Sequence, residues 1–270
     1  MLVQAGLSVR DVLAAAVEEL EVAGVGEPRT DAEVLLAAAL GTTRAQLNAD
    51  SERKLDGGAA DEFERMLGRR LRREPVAYIL GHAHFRELEL VVDGRVLIPR
   101  PETELLVEVG LELAPGSAVH DVGTGSGAVA LALLDERPDL AVSASDVSAA
   151  AVDVALANAA RLELPLDVVV ARGVPRGYEG MILANLPYVR EDEWPSLAPE
   201  IVRWEPREAL VSGADGLDAI RSLVAGVAPG TRLALEHAPG QAEAVRALLR
   251  DAETRRDLAG RERVTVGLAP

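Results

Sequence analysis

The sequence predicts an α/β protein in which a small helical domain precedes a doubly wound, mostly parallel sheet. Three observations carry this. Short apolar segments alternate with helical-period segments from about residue 118 to 249, as strands joined by crossover helices do. The N-terminal part, up to Glu74-Pro75, shows helical periodicity alone. A glycine-rich loop at 121–127 separates an apolar segment from a helical one, which is where open α/β sheets carry ligand loops.

Taken in order, Ser8 caps a stretch with Val9, Val12, Leu13, Ala16, Val17 and Leu20 at helical spacing, ending near Gly24. A second helix follows Pro28, with Thr30 or Asp31 as cap, and stops at Gly41. A third covers roughly 60–73, with Phe63, Met66, Leu67 and Leu71 on one side. Its other side carries Arg65, Arg69, Arg70, Arg72 and Arg73, either a solvated face or a place for an anionic partner to touch. Residues 76–98 are β-like, and Asp93-Gly94 between two apolar segments signals a hairpin turn. Helical period returns after Pro101 through Leu105, Leu106 and Val109. Strands are then expected at 118–122, 140–144, 166–170, 181–184 and 233–236, with helices at 128–134, 149–160, 217–227 and 241–249. The chain thus divides into a helical domain (1–74), a β-hairpin connector (75–98) and an α/β domain (99–270). The stretch holding Trp194, Pro195, Pro199, Trp204 and Pro206 reads as a loop covering a substrate.

Composition narrows the function. Of 270 residues, 28 are Lys or Arg and 44 Asp or Glu, a net charge of −16, which excludes a globally basic nucleic-acid binder. An apolar content of 49% suffices for a sizeable core and excludes a disordered chain. With no cysteine, disulfides, thiolate zinc sites and cysteine nucleophiles drop out. No run of 18 apolar residues and no basic-then-apolar start is present, so a cytoplasmic protein is expected. His82 and His84 share a strand face, and with no third ligand expected nearby and no cysteine, no metal site is expected. His120 and His237, beside apolar strand segments, are expected to be structural.

The most informative segment runs Asp121, Val122, Gly123, Thr124, Gly125, Ser126, Gly127. Glycines let a backbone turn tightly against a ligand, and the following helix presents unpaired N–H groups. Asp146, one helical stretch beyond Gly127, ends the next strand and can accept both hydroxyls of a ribose. The spacing is not G-x-G-x-x-G and no G-K-[ST] follows. Instead, D-x-G-x-G-x-G resembles the loop of Rossmann-like methyltransferases that use S-adenosylmethionine. That resemblance places Asp121 near the methionine amino end of the cofactor and packs Gly123, Thr124, Gly125, Ser126 and Gly127 against it.

A second segment, Asn185-Leu186-Pro187-Tyr188, closes a later strand a further β-α-β step past Asp146, and so emerges at the same sheet edge. It resembles the [DNS]-[PLI]-P-[YFW] motif of methyltransferases acting on planar amino groups. Such a nitrogen attacks poorly because its lone pair is drawn into a π-system. The Asn185 side-chain oxygen and the Leu186 carbonyl can accept its two N–H bonds, orienting it and favouring a pyramidal form. Tyr188 offers a face for stacking, and no general base is required.

Beyond these loops the chain resembles the release-factor glutamine methyltransferase family (HemK or PrmC). Ile98-Pro99-Arg100-Pro101-Glu102-Thr103-Glu104 matches its I-P-R-P-[DE]-T-E segment. Tyr78–Gly81, Glu205–Arg207, Gly213–Leu217 and Leu258–Arg261 fit as well. The resemblance implies a Rossmann-like class I methyltransferase domain with a small helical substrate-recognition domain joined by a hairpin. It also implies methyl transfer from S-adenosylmethionine to the glutamine of the Gly-Gly-Gln motif in class I peptide release factors. Asn185, Leu186, Pro187 and Tyr188 take the catalytic and substrate-binding roles, Arg100 and Glu102 join them on the substrate, and Asn185 also borders the cofactor. No membrane, metal or direct nucleic-acid partner is implied, and a monomer is expected. Three departures stand out: Leu186 where the family usually has proline, Ala171–Val174 where it has an acidic residue and an aromatic near the adenine, and Gly180 in place of an aspartate. Leu186 still precedes Pro187 and so is held extended. Adenine N6 methylation of nucleic acid remains open, because N-L-P-Y is the form seen in ribosomal RNA adenine dimethylases, and so does a non-catalytic paralogue.

Overall fold

The first helix begins where Ser8 accepts a hydrogen bond from the Asp11 N–H at 3.2 Å, satisfying one of the donors that a helix start leaves open. It belongs to one of two units into which the contacts of the computed structural model divide, residues 5–270 being described. The first unit runs to Gly81 and includes Ala198–Trp204. Its helices are α1 (Val9–Val22), α2 (Pro28–Ala39), α3 (Arg44–Ala49), α4 (Gly57–Leu71) and α5 (Val76–Leu80), plus the short helix Pro199–Trp204. Helix α2 starts on Pro28 itself, before the expected Thr30 or Asp31 cap, because the fixed φ of proline suits a first helical turn. Val12, Ala16, Leu20, Leu35, Leu36, Phe63 and Leu67 interlock as a nearly solvent-free core, each large side chain contributing roughly 1.5–3 kcal/mol.

The arginines of α4 and of the turn after it are only in part a solvated face, as Arg65 and Arg72 are exposed while Arg69, Arg70 and Arg73 are neutralised from within. Arg70 is buried and donates to Asp31 and to Glu200, both at 2.7 Å. Arg73 grips the same Glu200 carboxylate through two bonds of 2.7 Å. Arg69 pairs with Glu74, and Arg65 with Glu62. Within this cluster Arg72 alone is exposed with no acidic partner among the described residues. Desolvation disfavours buried charge strongly, which is why the positive face is neutralised from within. The stretch expected to be a covering loop is accordingly structured: Trp194–Ser196 is a 3-10 turn, and Pro199–Trp204 is a helix that delivers Glu200 to the two arginines.

The second unit comprises His82–Leu197 and Glu205–Pro270. It opens with an antiparallel hairpin of β1 (His82–Phe85) and β2 (Leu88–Val91). Its turn is Arg86-Glu87, not Asp93-Gly94, since Phe85 faces Leu88 in the register. Arg86 takes a φ of 50°, unfavourable for a side-chain-bearing residue, and its guanidinium is held by Glu108 and Glu136. Asp93-Gly94 does form a turn, but after the hairpin, where Asp93 accepts from the Arg95 N–H at 3.0 Å. Residues 76–80, expected as strand, are the helix α5. His84 pairs with Glu89 across the hairpin, so a third donor does stand within 4.8 Å of both histidines, contrary to the sequence expectation.

Seven further strands form one sheet: β3 (Ala118–Val122), β4 (Ala141–Asp146), β5 (Asp167–Val170), β6 (Met181–Ala184), β7 (Arg232–Glu236), β8 (Arg250–Arg256) and β9 (Glu262–Leu268). Their order is β5-β4-β3-β6-β7-β9-β8. The first five run parallel, and β9 lies antiparallel between β7 and β8. Helices α6 (Glu104–Leu111), α7 (Ala128–Glu136) and α8 (Ala149–Leu162) follow the segments in which helical period returned. The sheet order reverses beside β3, whose neighbours β4 and β6 lie on opposite sides. Such switch points are where ligands bind.

Gly180, one of the departures, has a local cause. A Cβ there would lie 2.6 Å from the Ala118 carbonyl oxygen and 2.6 Å from the Tyr178 hydroxyl. Tyr178, whose ring centroid is 5.5 Å from that of His120, takes the space a side chain at 180 would need. Gly180→Asp should therefore cost about 1–3 kcal/mol in urea unfolding, and adding Tyr178→Ala should recover part of it. An unchanged midpoint for Gly180→Asp would contradict this packing account.

Candidate active site

At the switch point a cleft of about 820 Å³ opens, within the range of small-molecule sites. Its floor is the glycine loop. Gly123, Gly125 and Gly127 all take positive φ, at 75°, 56° and 85°, which glycine adopts without steric cost. A Cβ on Gly125 would meet nothing within 4 Å, while one on Gly123 would sit 3.0 Å from Leu186 Cδ2. The first opens on free space and the second is packed against the tetrapeptide. Leu186, in the usual proline position, thus keeps Asn185-Leu186-Pro187-Tyr188 seated on the loop. Gly127 caps α7 and lies behind the cleft lining.

Two carboxylates stand at adjoining strand ends. Asp121 is buried, and burial pushes its pKa up to about 6 against the Thr124 hydroxyl, which donates at 2.6 Å and lowers it. Asp146 accepts from the Gly125 N–H and the Ser148 N–H, both at 2.9 Å. Those bonds fix its carboxylate and leave its other lone pairs toward the cleft that it lines. Arg172 and Gly173 line the cleft beside it, with the Gly173 carbonyl accepting from Ser145 at 2.7 Å.

Asn185 ends β6 on the opposite side. Its Nδ2 donates to the Thr103 hydroxyl at 2.9 Å, which leaves Oδ1 unclaimed among the described residues. Pro187 and Leu186 line the cleft with it, whereas Tyr188 does not. The Tyr188 hydroxyl donates to Glu236 Oε1 at 3.3 Å, and its carbonyl accepts from Gln241 at 2.9 Å. Burial, with Glu236 alongside, pushes the phenol pKa up. Gly216 must be glycine here, for a Cβ would come within 2.1 Å of the Tyr188 carbonyl oxygen.

The remaining motif blocks bind each other. Arg100 lines the cleft and pairs with Glu205, which also accepts from the Ile98 N–H at 3.3 Å. Glu102 is not among the residues that line the cleft and pairs with Arg261 at 3.0 Å. Sequence reasoning missed the supporting roles of Thr103, Asn158, Glu205 and Glu236. Asn158 bridges Val91 and the Ser126 carbonyl, tying the hairpin to the glycine loop. Thr103 and Glu205 lie inside recognisable motif blocks, but their partners, Asn185 and Arg100, are remote in the chain. His120 and His237 are structural as expected, each held by a hydroxyl partner, and burial lowers the pKa of His120 to about 4.

The sheet order, the glycine loop at its switch point and the cleft define a Rossmann-like methyltransferase domain. Residues 101–214 match the methyltransferase small domain model, and residues 11–81 match the PrmC N-terminal domain model. The relative from Burkholderia pseudomallei, a release factor glutamine methyltransferase, is 43% identical over 89% of this chain and 92% of its own. One of the same name from Xylella fastidiosa is 42% identical over 96% of this chain and 97% of its own, and another from Moorella thermoacetica 42% over 95% and 97%. The chain belongs to the release factor glutamine methyltransferase family.

Proposed function

We propose that the protein transfers a methyl group from S-adenosylmethionine to the side-chain amide nitrogen of the Gly-Gly-Gln glutamine in class I peptide release factors. The observation that carries this is Asn185, anchored through Nδ2 so that Oδ1 remains an acceptor at the cleft. An amide N–H2 needs an acceptor rather than a donor. The cofactor fits the donors present: a buried carboxylate at Asp121 for a cationic amino group, a pinned one at Asp146 for ribose hydroxyls, and open space over Gly125. Bound there, the cofactor supplies an electrophilic methyl sulfonium.

The chain's own residues then position and polarise. Asn185 Oδ1 and the Leu186 carbonyl accept the two amide hydrogens, holding the nitrogen lone pair out of the amide plane. Pro187 restricts Leu186 to an extended backbone. Arg100 lies at the cleft for the substrate backbone, while Tyr188 braces the loop through Glu236 and Gln241. The helical unit is the part we assign to release-factor recognition, and translation termination in the cytoplasm is the process served. Among the described residues no helix is long and apolar enough to cross a membrane.

Incubation with methyl-labelled S-adenosylmethionine and either a release factor or stripped ribosomal RNA tests the proposal. Label is expected on the release factor and lost when its motif glutamine is replaced. Label on RNA alone would overturn it. Cofactor affinity should also depend on pH through Asp121. Its pKa of about 6 means the charged form, which binds a cationic amino group, is lost as pH falls through that value. Titration calorimetry should show affinity dropping below pH 6 in the native protein, and a weaker, flatter profile in Asp121→Asn. An identical profile in the variant would remove Asp121 from that role.

A further inference from the structure

The outer face of the β1–β2 hairpin carries a set of donors that the methyl-transfer site does not use. Residues two apart in a strand point to one side, so His82 and His84 share a face, and the register sets Glu89 directly opposite His84. The other face of the same hairpin holds Phe85, Leu88 and Leu90, all buried in the core. That apolar face pins the backbone, so the three polar side chains stand on a rigid frame. One ligating atom of each lies within 4.8 Å of the other two. His82 Nε2 is 3.9 Å from Glu89 Oε2, too far for a hydrogen bond. The two imidazole rings cross at 77° and do not stack.

We propose that His82, His84 and Glu89 form a binding site for one zinc-class transition-metal dication, held across the two strands of the hairpin. The donor types select the ion. Imidazole nitrogen suits Zn2+, Co2+, Ni2+ and Cu2+, whereas Mg2+ and Ca2+ call for oxygen ligands. Three protein ligands leave the fourth position of a tetrahedral ion to water. The distances are compatible with this. Two ligands bonded at about 2.0–2.1 Å to a tetrahedral centre lie about 3.3 Å apart. The ligating atoms must therefore close by roughly 0.5–1.5 Å, which rotation of side chains supplies without moving the backbone. All three side chains are exposed or half-buried, and so have room to turn. Glu89 is already oriented for the task. Its Oε1 accepts from Arg161 Nη1 at 3.5 Å, which leaves Oε2 on the histidine side, and ligating carboxylates are ordinarily held by such an outer partner. None of the three residues lines the cleft, so the ion stands apart from methyl transfer and acts on the hairpin, which it cross-links.

The chain has four histidines and no cysteine, and the other two, His120 and His237, are buried and bonded to hydroxyls. Imidazole ligation is therefore attributable. Full-length protein, free of any histidine tag and treated with a chelator, is titrated with Zn2+ and with Co2+ at about pH 7.5, where ligand protons compete little. Calorimetry should give one ion per chain. The ring resonances of His82 and His84 should shift in NMR spectra while those of His120 and His237 stay in place. Affinity should fall by about 100-fold or more in His82→Ala and in His84→Ala, beyond the roughly 10- to 100-fold typical of losing only an outer partner. Glu89→Gln should weaken binding by about tenfold or more, and excess Mg2+ should not displace the ion. Zn2+ should raise the melting temperature of the native protein and leave that of the double variant His82→Ala, His84→Ala unchanged. One-to-one binding that survives in the double variant overturns the proposal. So does a native protein that binds Zn2+ and Co2+ no more tightly than the double variant does. Circular dichroism of each variant confirms the fold, and the three single variants keep the site testable should the double variant fold poorly.

Discussion

Asn185→Ala is expected to lower kcat by about 10²–10³, the loss that follows removal of a preorganised polar group aimed at a transition state, with S-adenosylmethionine affinity changed only a few-fold. The separation follows from where the contacts lie. The carboxylates of Asp121 and Asp146 and the glycine loop sit at the ends of β3 and β4, and none depends on the Asn185 side chain. Alanine removes both the anchor to Thr103 and the acceptor at the cleft, yet leaves Leu186 packed on Gly123 and Pro187 in place. Single-turnover methyl transfer and calorimetric cofactor binding on the same preparation check this. Near-normal turnover would overturn the assignment of Asn185 as the amide's acceptor.

The fold is legible where local pattern and tertiary role coincide. β3 and β6 lie at the centre of the sheet, β6 marked by a continuous apolar run and β3 by apolar residues on either side of His120-Asp121, so the expected bounds 118–122 and 181–184 match the strands to the residue. β8 is not legible in that way. Its sequence, Arg-Asp-Ala-Glu-Thr-Arg-Arg, is an edge strand with mostly polar or exposed side chains and no apolar alternation. β9 is absent from the expected strands although Val264 and Val266 alternate along it. The hairpin turn is misplaced from sequence because Asp-Gly is the stronger local signal, whereas Arg86-Glu87 is stabilised by glutamates from α6 and α7 that no local window contains.

At the site, the residues bearing chemistry on glycine loops and strand ends are legible because their type and spacing are dictated by local backbone geometry. What holds them is not. Glu205 under Arg100, Asn158 behind the loop and Glu236 behind the tetrapeptide each act on partners far away along the chain. Tyr188 shows what a motif leaves out: the sequence offers its ring for stacking, but not the ties of its hydroxyl to Glu236 and of its carbonyl to Gln241.

Glu200→Ala should destabilise the protein by about 2–3 kcal/mol at neutral pH, a little under the roughly 3–5 kcal/mol typical of breaking a buried pair because part of the carboxylate still meets solvent. The carboxylate takes three bonds of 2.7 Å from two guanidinia whose side chains are 6% and 15% exposed. Asp31 still pairs with Arg70 in the variant, but Arg73 is left with only the Ala23 carbonyl at 3.2 Å. The pH dependence identifies the cause. Burial alone would raise the pKa of Glu200, yet the bonds from Arg73 and Arg70 outweigh it and hold the group down to about 2. A carboxyl depressed in the folded state stabilises above its unfolded value, near 4.5, and that contribution is lost as pH falls through about 2. The gap between native and variant in urea midpoint should therefore be full at pH 7, begin to narrow below about pH 4.5, and keep closing with further acid. A gap that is absent at pH 7, or that widens on acidification, would mean that Glu200 does not neutralise the two arginines in the folded state.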